Sequence, residues 1–259
     1  MVSPKSFDPN AAATPGSGIF GLPFSADEAR LVLIPVPWEV TTSYGGGTAL
    51  GPQAILDASA QVDLYDLDIL NPYEPGIAML PIPSKIRALN QRLKPLAKRV
   101  ISAGGPPQKK NKKTASILRA LDQVNRGGEQ LNTWVRSEVL RLLESGKIVG
   151  LVGGDHSIPL GAFQAIAARE GDFGILHFDA HSDTRQAYEG FEYSHASIFH
   201  NALEQIPKIQ KLVQVGIRDM CQQEASFVEK QGKRVALFSD RALQEAKHGG
   251  ASWNSIATR

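Results

Sequence analysis

Five short apolar runs punctuate the chain: RLVLIPV (30–36), KIVGLVG (147–153), FGILHF (173–178), KLVQVGI (211–217) and RVALF (234–238). Several are apolar at successive positions rather than at alternate ones, the pattern of parallel strands covered by helices on both faces. Between them the period changes. In EQLNTWVRSEVLRLLESG, Leu131, Trp134, Val135, Val139, Leu142 and Leu143 recur at three- and four-residue spacing, and Gly146 follows as a stop, which predicts an amphipathic helix. SIPLGAFQAIAARE predicts a second helix, with Ser157 as its N-cap and Pro159 in its first turn, where a missing N–H costs little. Strands alternating with helices in this way predict an α/β fold with a mostly parallel sheet. Residues 81–115 read as a helix followed by a flexible connection. Residues 1–25, rich in Pro, Ser, Ala and Gly, read as a disordered N-terminal tail.

In open α/β sheets, ligands sit at the carboxyl ends of the strands. Two of the predicted strand ends carry unusual chemistry. One ends in Gly153-Gly154-Asp155-His156; the other runs into LHFDAHSDTR (176–185), which sets Asp179, His181 and Asp183 on alternate positions. Side chains two apart on extended backbone point the same way. Two carboxylates and an imidazole crowded together would carry a large desolvation cost if unpaired, and a cation is the first candidate to neutralise them. The bland alternative is a solvated charged loop, but Phe178 and the apolar run before it argue for partial burial. Carboxylate and imidazole donors without thiolate suit Mn, Ni, Fe, Co or Zn, rather than Ca or a structural zinc cage. A shared carboxylate would let two ions sit close together and activate a water between them.

Other residues are more ambiguous. His156 alone could be structural, although the two glycines before it let backbone approach closely. Asp155 could be a turn carboxylate or a partner that fixes the imidazole. His195, in EYSHASIFH, falls where a helix is expected to start and could shuttle a proton near neutral pH. His177 is expected to point away from the cluster and His200 to sit mid-helix, neither with a role in the site. The glycine-rich PWEVTTSYGGGTALGPQAI (37–55) matches neither a dinucleotide fingerprint nor a Walker A loop. It reads as a strand-to-helix loop that either lies on the surface or lines a pocket through Trp38, Glu39 and Tyr44.

Charge and composition narrow the classes. The chain has 28 basic and 26 acidic residues, a formal charge of +2, so nothing favours nucleic acid or an anionic membrane as partner. Lys109, Lys110, Lys112 and Lys113 lie in GGPPQKKNKKT, which reads as a solvated loop. Cys221 is the only cysteine, so an intrachain disulfide is excluded; DMCQQE offers it no basic partner, and a cytoplasmic location is expected. The N-terminus lacks the apolar core of a signal peptide, and no apolar run reaches the ~18 residues of a membrane span.

GGDHS followed by FDAHSD resembles the arginase/agmatinase (ureohydrolase) family. The resemblance extends from about residue 30 to the chain end, through GPQAI (51–55), HAS (195–197) and VGIRD (215–219). It implies a three-layer α/β/α fold, a binuclear metal centre that is usually manganese, and hydrolysis of guanidinium compounds to urea. Carried over by residue, it implies His156, Asp179 and Asp183 on one ion, with His181 and a bridging oxygen of Asp179 on the other. A hydroxide between the ions would attack the guanidinium carbon. Asp183 would orient it and help protonate the departing amine, and His195 would assist proton transfer near the pocket mouth.

Two departures from the family pattern shape the expectation. Family members usually carry an arginine in the loop that here reads SYGGGTALGP. With PWE before it and an enlarged middle segment, this sequence is more similar to an agmatinase-related branch that includes nickel-dependent guanidine hydrolases. That leaves Mn²⁺ or Ni²⁺ as the metal and agmatine, guanidine or a similar compound as substrate. The family also draws ligands from a later strand ending in Asp-x-Asp, which the sequence up to GGASWNSIATR does not contain. Asp66 and Asp68 in YDLDIL have that spacing but come far too early. Residues 26–259 are therefore expected to form an incomplete ureohydrolase domain lacking its last strands, with three protein ligands for one ion and two for the other. Such a domain would expose apolar edge and core surface. Two readings follow: a hydrolase converting a small guanidino compound to urea and an amine or ammonia, its missing acidic strand supplied by a longer chain or a partner; or a truncated, non-catalytic metal-binding homologue or assembly subunit. A generic metallohydrolase of esters or amides is a third. Trimers and hexamers are common in the family, so a homo-oligomer is implied.

Overall fold

A computed structural model of the protein describes residues 7–13, 16–109, 111 and 114–258. Strand β1 (Leu31–Val36) runs between β2 (Ile77–Met79) and β3 (Ile148–Gly153). Strand β5 (Ile209–Ile217) runs between β4 (Phe173–Phe178) and β6 (Val235–Ser239). Every pairing is parallel, which gives two three-stranded sheets. All five strands expected from the apolar runs are present. β2 has no sequence signal because three residues are too few to show a period. Pro35 is tolerated in the central strand β1 because β2 has already ended. The last bond on that side runs from the Leu80 N–H to the Leu33 carbonyl, so the N–H that Pro35 lacks has no strand to meet.

Helices connect the strands. α1 (Gly51–Ser59) follows the glycine-rich loop, and α2 (Ser84–Ser102) and α3 (Ala115–Glu144) lie between β2 and β3. The periodic stretch ending at Gly146 is the last half of α3, stopped by a left-handed glycine whose N–H bonds the Leu143 carbonyl. α4 (Leu160–Glu170) links the two sheets, and α5 (Ile198–Gln205), α6 (Gln222–Lys230), α7 (Asp240–His248) and α8 (Trp253–Ala257) follow.

Each sheet has its own core. Val32, Ile34, Val36, Trp38, Leu93, Leu131 and Val135 form one; Ile198, Phe199, Leu203, Ile209, Leu212 and Val235 form the other. α4 belongs to both, with Ala162 and Ala165 in the first and Leu160 and Ala167 in the second. A helix that joins two cores holds the carboxyl end of β3 beside that of β4, and the site forms there.

Two expectations need correction. The N-terminal tail was placed at 1–25, yet Ile19 and Leu22 are fully buried in a short turn, and the Phe20 N–H bonds Ser59 on α1. Polar and small residues around Ile19 and Leu22 hid two apolar anchors from a compositional reading. Ser157 does not cap α4, which begins at Leu160; it is drawn back into a tight turn by Asp155. Of the basic cluster, Lys109 is exposed, and Lys110, Lys112 and Lys113 lie outside the described residues. Among the described residues, no helix is long and apolar enough to cross a membrane.

Candidate metal centre

The backbone after β3 is built for close approach. A Cβ at Gly154 would lie 2.1 Å from the Trp38 carbonyl oxygen and 2.9 Å from that of Val36, so only glycine lets the chain pass there. The next N–H, of Asp155, donates to the Trp38 carbonyl at 2.8 Å and fixes the turn. Asp155 is the turn carboxylate of the two roles open to it. Its Oδ1 accepts from the Ser157 N–H at 3.0 Å and from the Ser157 hydroxyl, and its Oδ2 accepts from the Thr41 hydroxyl at 3.3 Å. Burial raises its pKa against those bonds. His156 is thereby projected past the end of β3.

The second strand end delivers its residues in two ways. The β4–β5 ladder continues through the Asp179 N–H to the Val215 carbonyl and a bridge between His181 and Asp219, so Asp179 and His181 share a side by strand alternation. Asp183 does not arrive that way. It has a left-handed backbone, φ 53°, which turns its carboxylate onto His156: the Asp183 Oδ2 to His156 Nδ1 distance is 2.6 Å. The Phe199 N–H donates to the Asp183 carbonyl and holds this strained residue against the start of α5. Asp179 Oδ2 lies 3.5 Å from the same His156 nitrogen, and His181 Nδ1 lies 3.4 Å from Asp179 Oδ1. The four residues expected as ligands thus form one chain of contacts, with His181 the most exposed.

His177 corrects the sequence reading. Position 177 on β4 has the same parity as position 179 just beyond it, so the ring faces the cluster rather than away from it. His177, His156 and Asp179 each offer a donor atom, all within 4.8 Å of one another. His200 is the quieter case: it sits on α5 against Phe227, away from the cavity.

Electrostatics follow the packing. Burial pushes the His156 imidazole down, but the hydrogen bond and charge of Asp183, with the charges of Asp179 and Asp155, outweigh it and raise its pKa. Burial, then the charge of His156, lowers that of His177. Asp179 is raised by burial but lowered further by the His181 N–H and the two neighbouring imidazoles, and ends below the ordinary value.

His156, Asp179, His181 and Asp183 open into a cavity of about 450 Å³, walled also by Thr42, Ser43, Thr48, Arg185, Tyr188 and His195. His195 sits at the start of the turn that leads into α5, its N–H donating to Thr41 and its ring edge-on to Tyr188. Five carboxylates (Asp155, Asp179, Asp183, Asp219 and Glu224) face the cavity against one guanidinium, that of Arg185. Arg185 is itself 3.4 Å from Glu224 and lies over the Tyr188 ring, so the cavity favours a cation. A larger space of about 820 Å³, beside Arg87, Lys94 and Lys98, contains none of this chemistry. Asp66 and Asp68 are also remote: Asp66 bonds its own turn at the Asp68 and Ile69 N–H groups.

A match to the arginase family spans residues 29–250. The chain belongs to the arginase family. An N(1)-aminopropylagmatine ureohydrolase of Thermus thermophilus is 34% identical over 215 residues, covering 82% of this chain and 58% of the relative. An agmatinase of Bacillus subtilis is 27% identical over 218 residues, 82% of this chain and 60% of the relative. The chain thus spans about three-fifths of the length of these two curated relatives. The fold is also that of solved family members. Proclavaminate amidino hydrolase from Streptomyces clavuligerus superposes with a TM-score of 0.63 at 22% identity, over 93% of this chain and 68% of that one. Agmatine ureohydrolase of Thermoplasma volcanium gives 0.62 at 21% identity, over 91% and 62%.

In this arginase-family site the donor set fits a divalent cation: two aspartates and imidazole nitrogens converge at the ends of β3 and β4, with Asp183 Oδ2 2.6 Å and Asp179 Oδ2 3.5 Å from His156 Nδ1. Sequence reasoning missed the supports beneath it. Thr41 ties Asp155 to His195. Glu224 is buried on α6 and accepts from the backbone N–H groups of Thr184 and Cys221, the second as part of a capping box. Gln214 is wholly buried in β5. The signals were a glutamine inside the apolar run KLVQVGI and the glutamate of CQQE at a helix start; a buried polar group needs partners, which neither motif names.

Proposed function

We propose that the chain is the metal-binding part of an amidinohydrolase that converts a small guanidino compound to urea and an amine or ammonia. The observation that carries this reading is the convergence of His156, Asp179 and Asp183 in a cavity rich in carboxylates, within an arginase-family fold. His156, Asp179, His181 and Asp183 would hold a binuclear centre, Mn²⁺ in the first instance and Ni²⁺ as the alternative. When bound, the ions would supply Lewis acidity and an activated water.

The protein groups would do the rest. The carboxylates lining the cavity would attract a guanidinium. Asp183, buried and fixed by its own backbone turn, would orient the attacking water and return a proton to the departing nitrogen. His195 borders the same cavity, and its Nδ1 is buried without a hydrogen bond, so the ring is free to relay a proton at the mouth. The relatives named agmatinase and N(1)-aminopropylagmatine ureohydrolase support agmatine and its aminopropyl derivative as first substrates to try, with guanidine beside them.

Urea release from these compounds, measured after loading with Mn²⁺ or Ni²⁺, tests the reading. Activity is expected with one of the metals, and Asp183→Asn should lower kcat by about 100-fold or more. Bound metal with no urea from any guanidino compound would leave a metal-binding homologue without this activity.

A further inference from the structure

His177 stands inside the cluster without being among its expected ligands, and its hydrogen bonds decide what it can do there. The amide nitrogen of Gln214 lies 2.8 Å from the Ser182 carbonyl oxygen and 3.1 Å from His177 Nδ1. The amide oxygen accepts from the Ser182 hydroxyl at 3.0 Å. A carbonyl oxygen can only accept, so the NH₂ end of Gln214 has to face Ser182, and the amide cannot be flipped. The second hydrogen of that NH₂ then points at Nδ1 of His177, which must be the bare nitrogen of the ring. A neutral imidazole with bare Nδ1 carries its proton on Nε2.

That proton lies on the side of Asp179. His177 is only 6% exposed, and Nε2 is buried with no hydrogen bond of normal geometry. Oδ2 of Asp179 lies 3.4 Å from it. The ring cannot swing away, because it packs on Phe199 at 4.3 Å and beside His156 at 5.2 Å between centroids. A protonated ring nitrogen has no lone pair to give a metal.

We propose that His177 is a positioning residue and not a ligand: Gln214 fixes its tautomer, and its Nε2–H steers Asp179 Oδ2 so that this carboxylate stays aimed at the cation site. The assignment removes His177 from the group of three donors, His156, His177 and Asp179, that lie within 4.8 Å of one another, and leaves His156, Asp179, His181 and Asp183 as the ligand set. It rests on the metal-centre reading above, but none of its readouts requires urea release. Buried partners that orient a ligand in this way typically change metal affinity by ~10–100-fold when removed.

Ring nitrogen-15 NMR of the metal-free protein, with His177 assigned by its absence in His177→Gln, reads the tautomer directly. An Nε2-protonated ring is expected; an Nδ1-protonated ring would overturn the proposal. Titration with Zn²⁺, a diamagnetic probe, should leave the Nε2 proton in place, whereas its loss on saturation would make His177 a ligand. In equilibrium dialysis with Mn²⁺, His177→Phe should weaken binding by roughly 10–100-fold with the number of ions at saturation unchanged. His177→Gln, which can present an N–H in the same direction, should recover most of that loss. If both variants bind one ion fewer than the parent, the positioning role is wrong. If these results hold and no guanidino compound yields urea, only the proposed activity fails.

Discussion

A side chain as small as alanine at position 154 would place its Cβ 2.1 Å and 2.9 Å from the carbonyl oxygens of Trp38 and Val36, well inside van der Waals contact. Gly154→Ala should therefore destabilise the protein by about 3 kcal/mol, read as a lower unfolding midpoint in urea, and should displace His156 so that divalent-metal binding weakens with it. The protonation of His156 makes a second prediction. Its pKa lies above the ordinary 6.5 because Asp183 and its neighbours overcome the effect of burial. In the metal-free protein this contribution to stability is fully present below about pH 6.5 and is lost as pH rises through the elevated value. A metal needs the bare nitrogen, so Mn²⁺ affinity should rise with pH over that window, by up to about tenfold per unit, and level off above it. Calorimetric titrations at stepped pH check this, and a profile flat through the window would mean that His156 does not exchange a proton for the metal. At this scale residue type and spacing singled out His156, Asp179, His181 and Asp183, and the structure brings the four together. The sequence could not reveal that Asp183 reaches His156 through a left-handed backbone, since no local pattern in SDTR requires one.

The loop from Pro37 to Leu50 shows what an element can hide. Its glycines suggested either a surface loop or a pocket wall, and the outcome is settled by Glu39. That carboxylate is buried, pairs with Lys94 on α2, and accepts the Gly47 N–H at 2.6 Å, the Ala49 N–H at 3.1 Å and the Thr48 hydroxyl at 3.2 Å. Burial would raise its pKa, but Lys94 and the backbone donors more than compensate and hold it down. The loop is thus pinned from below, and it presents Thr42, Ser43 and Thr48 to the cavity, while Tyr44 is almost fully exposed. Glu39→Gln should speed amide exchange at Gly47 and Ala49 by roughly tenfold or more, since bonds to a charged acceptor contribute ~1.5–3 kcal/mol. Unchanged exchange at both amides would show that the loop is held by something else. Elements that repeat a period, such as α3 and the five longer strands, were legible in the sequence. The start of α4 was not, because Ser157 satisfies the cap pattern yet is captured by Asp155 two residues earlier.

At the scale of the molecule, the two sheets leave β3 and β4 each without a strand partner on one side, among the described residues. Leu176 and Phe178 on β4 are 62% and 65% exposed, and Ile148 on β3 is 50% exposed. An open strand edge flanked by apolar side chains invites association. Leu176→Lys is therefore expected to reduce self-association in light scattering at high protein concentration while leaving the unfolding midpoint nearly unchanged; association unaffected by the charge would place the contact elsewhere. The sequence by itself determined the strand and helix alternation, the family, and the four donor side chains that the structure brings together, because periodicity, glycine and donor type are local properties. Only the tertiary structure decided that Asp183 is drawn onto His156, that Gln214, Glu224 and Thr41 hold the cluster together, and that β3 and β4 meet at their ends rather than along an edge. Those facts depend on contacts between residues tens of positions apart, where the free energy comes from burial and from hydrogen bonds that no local pattern encodes.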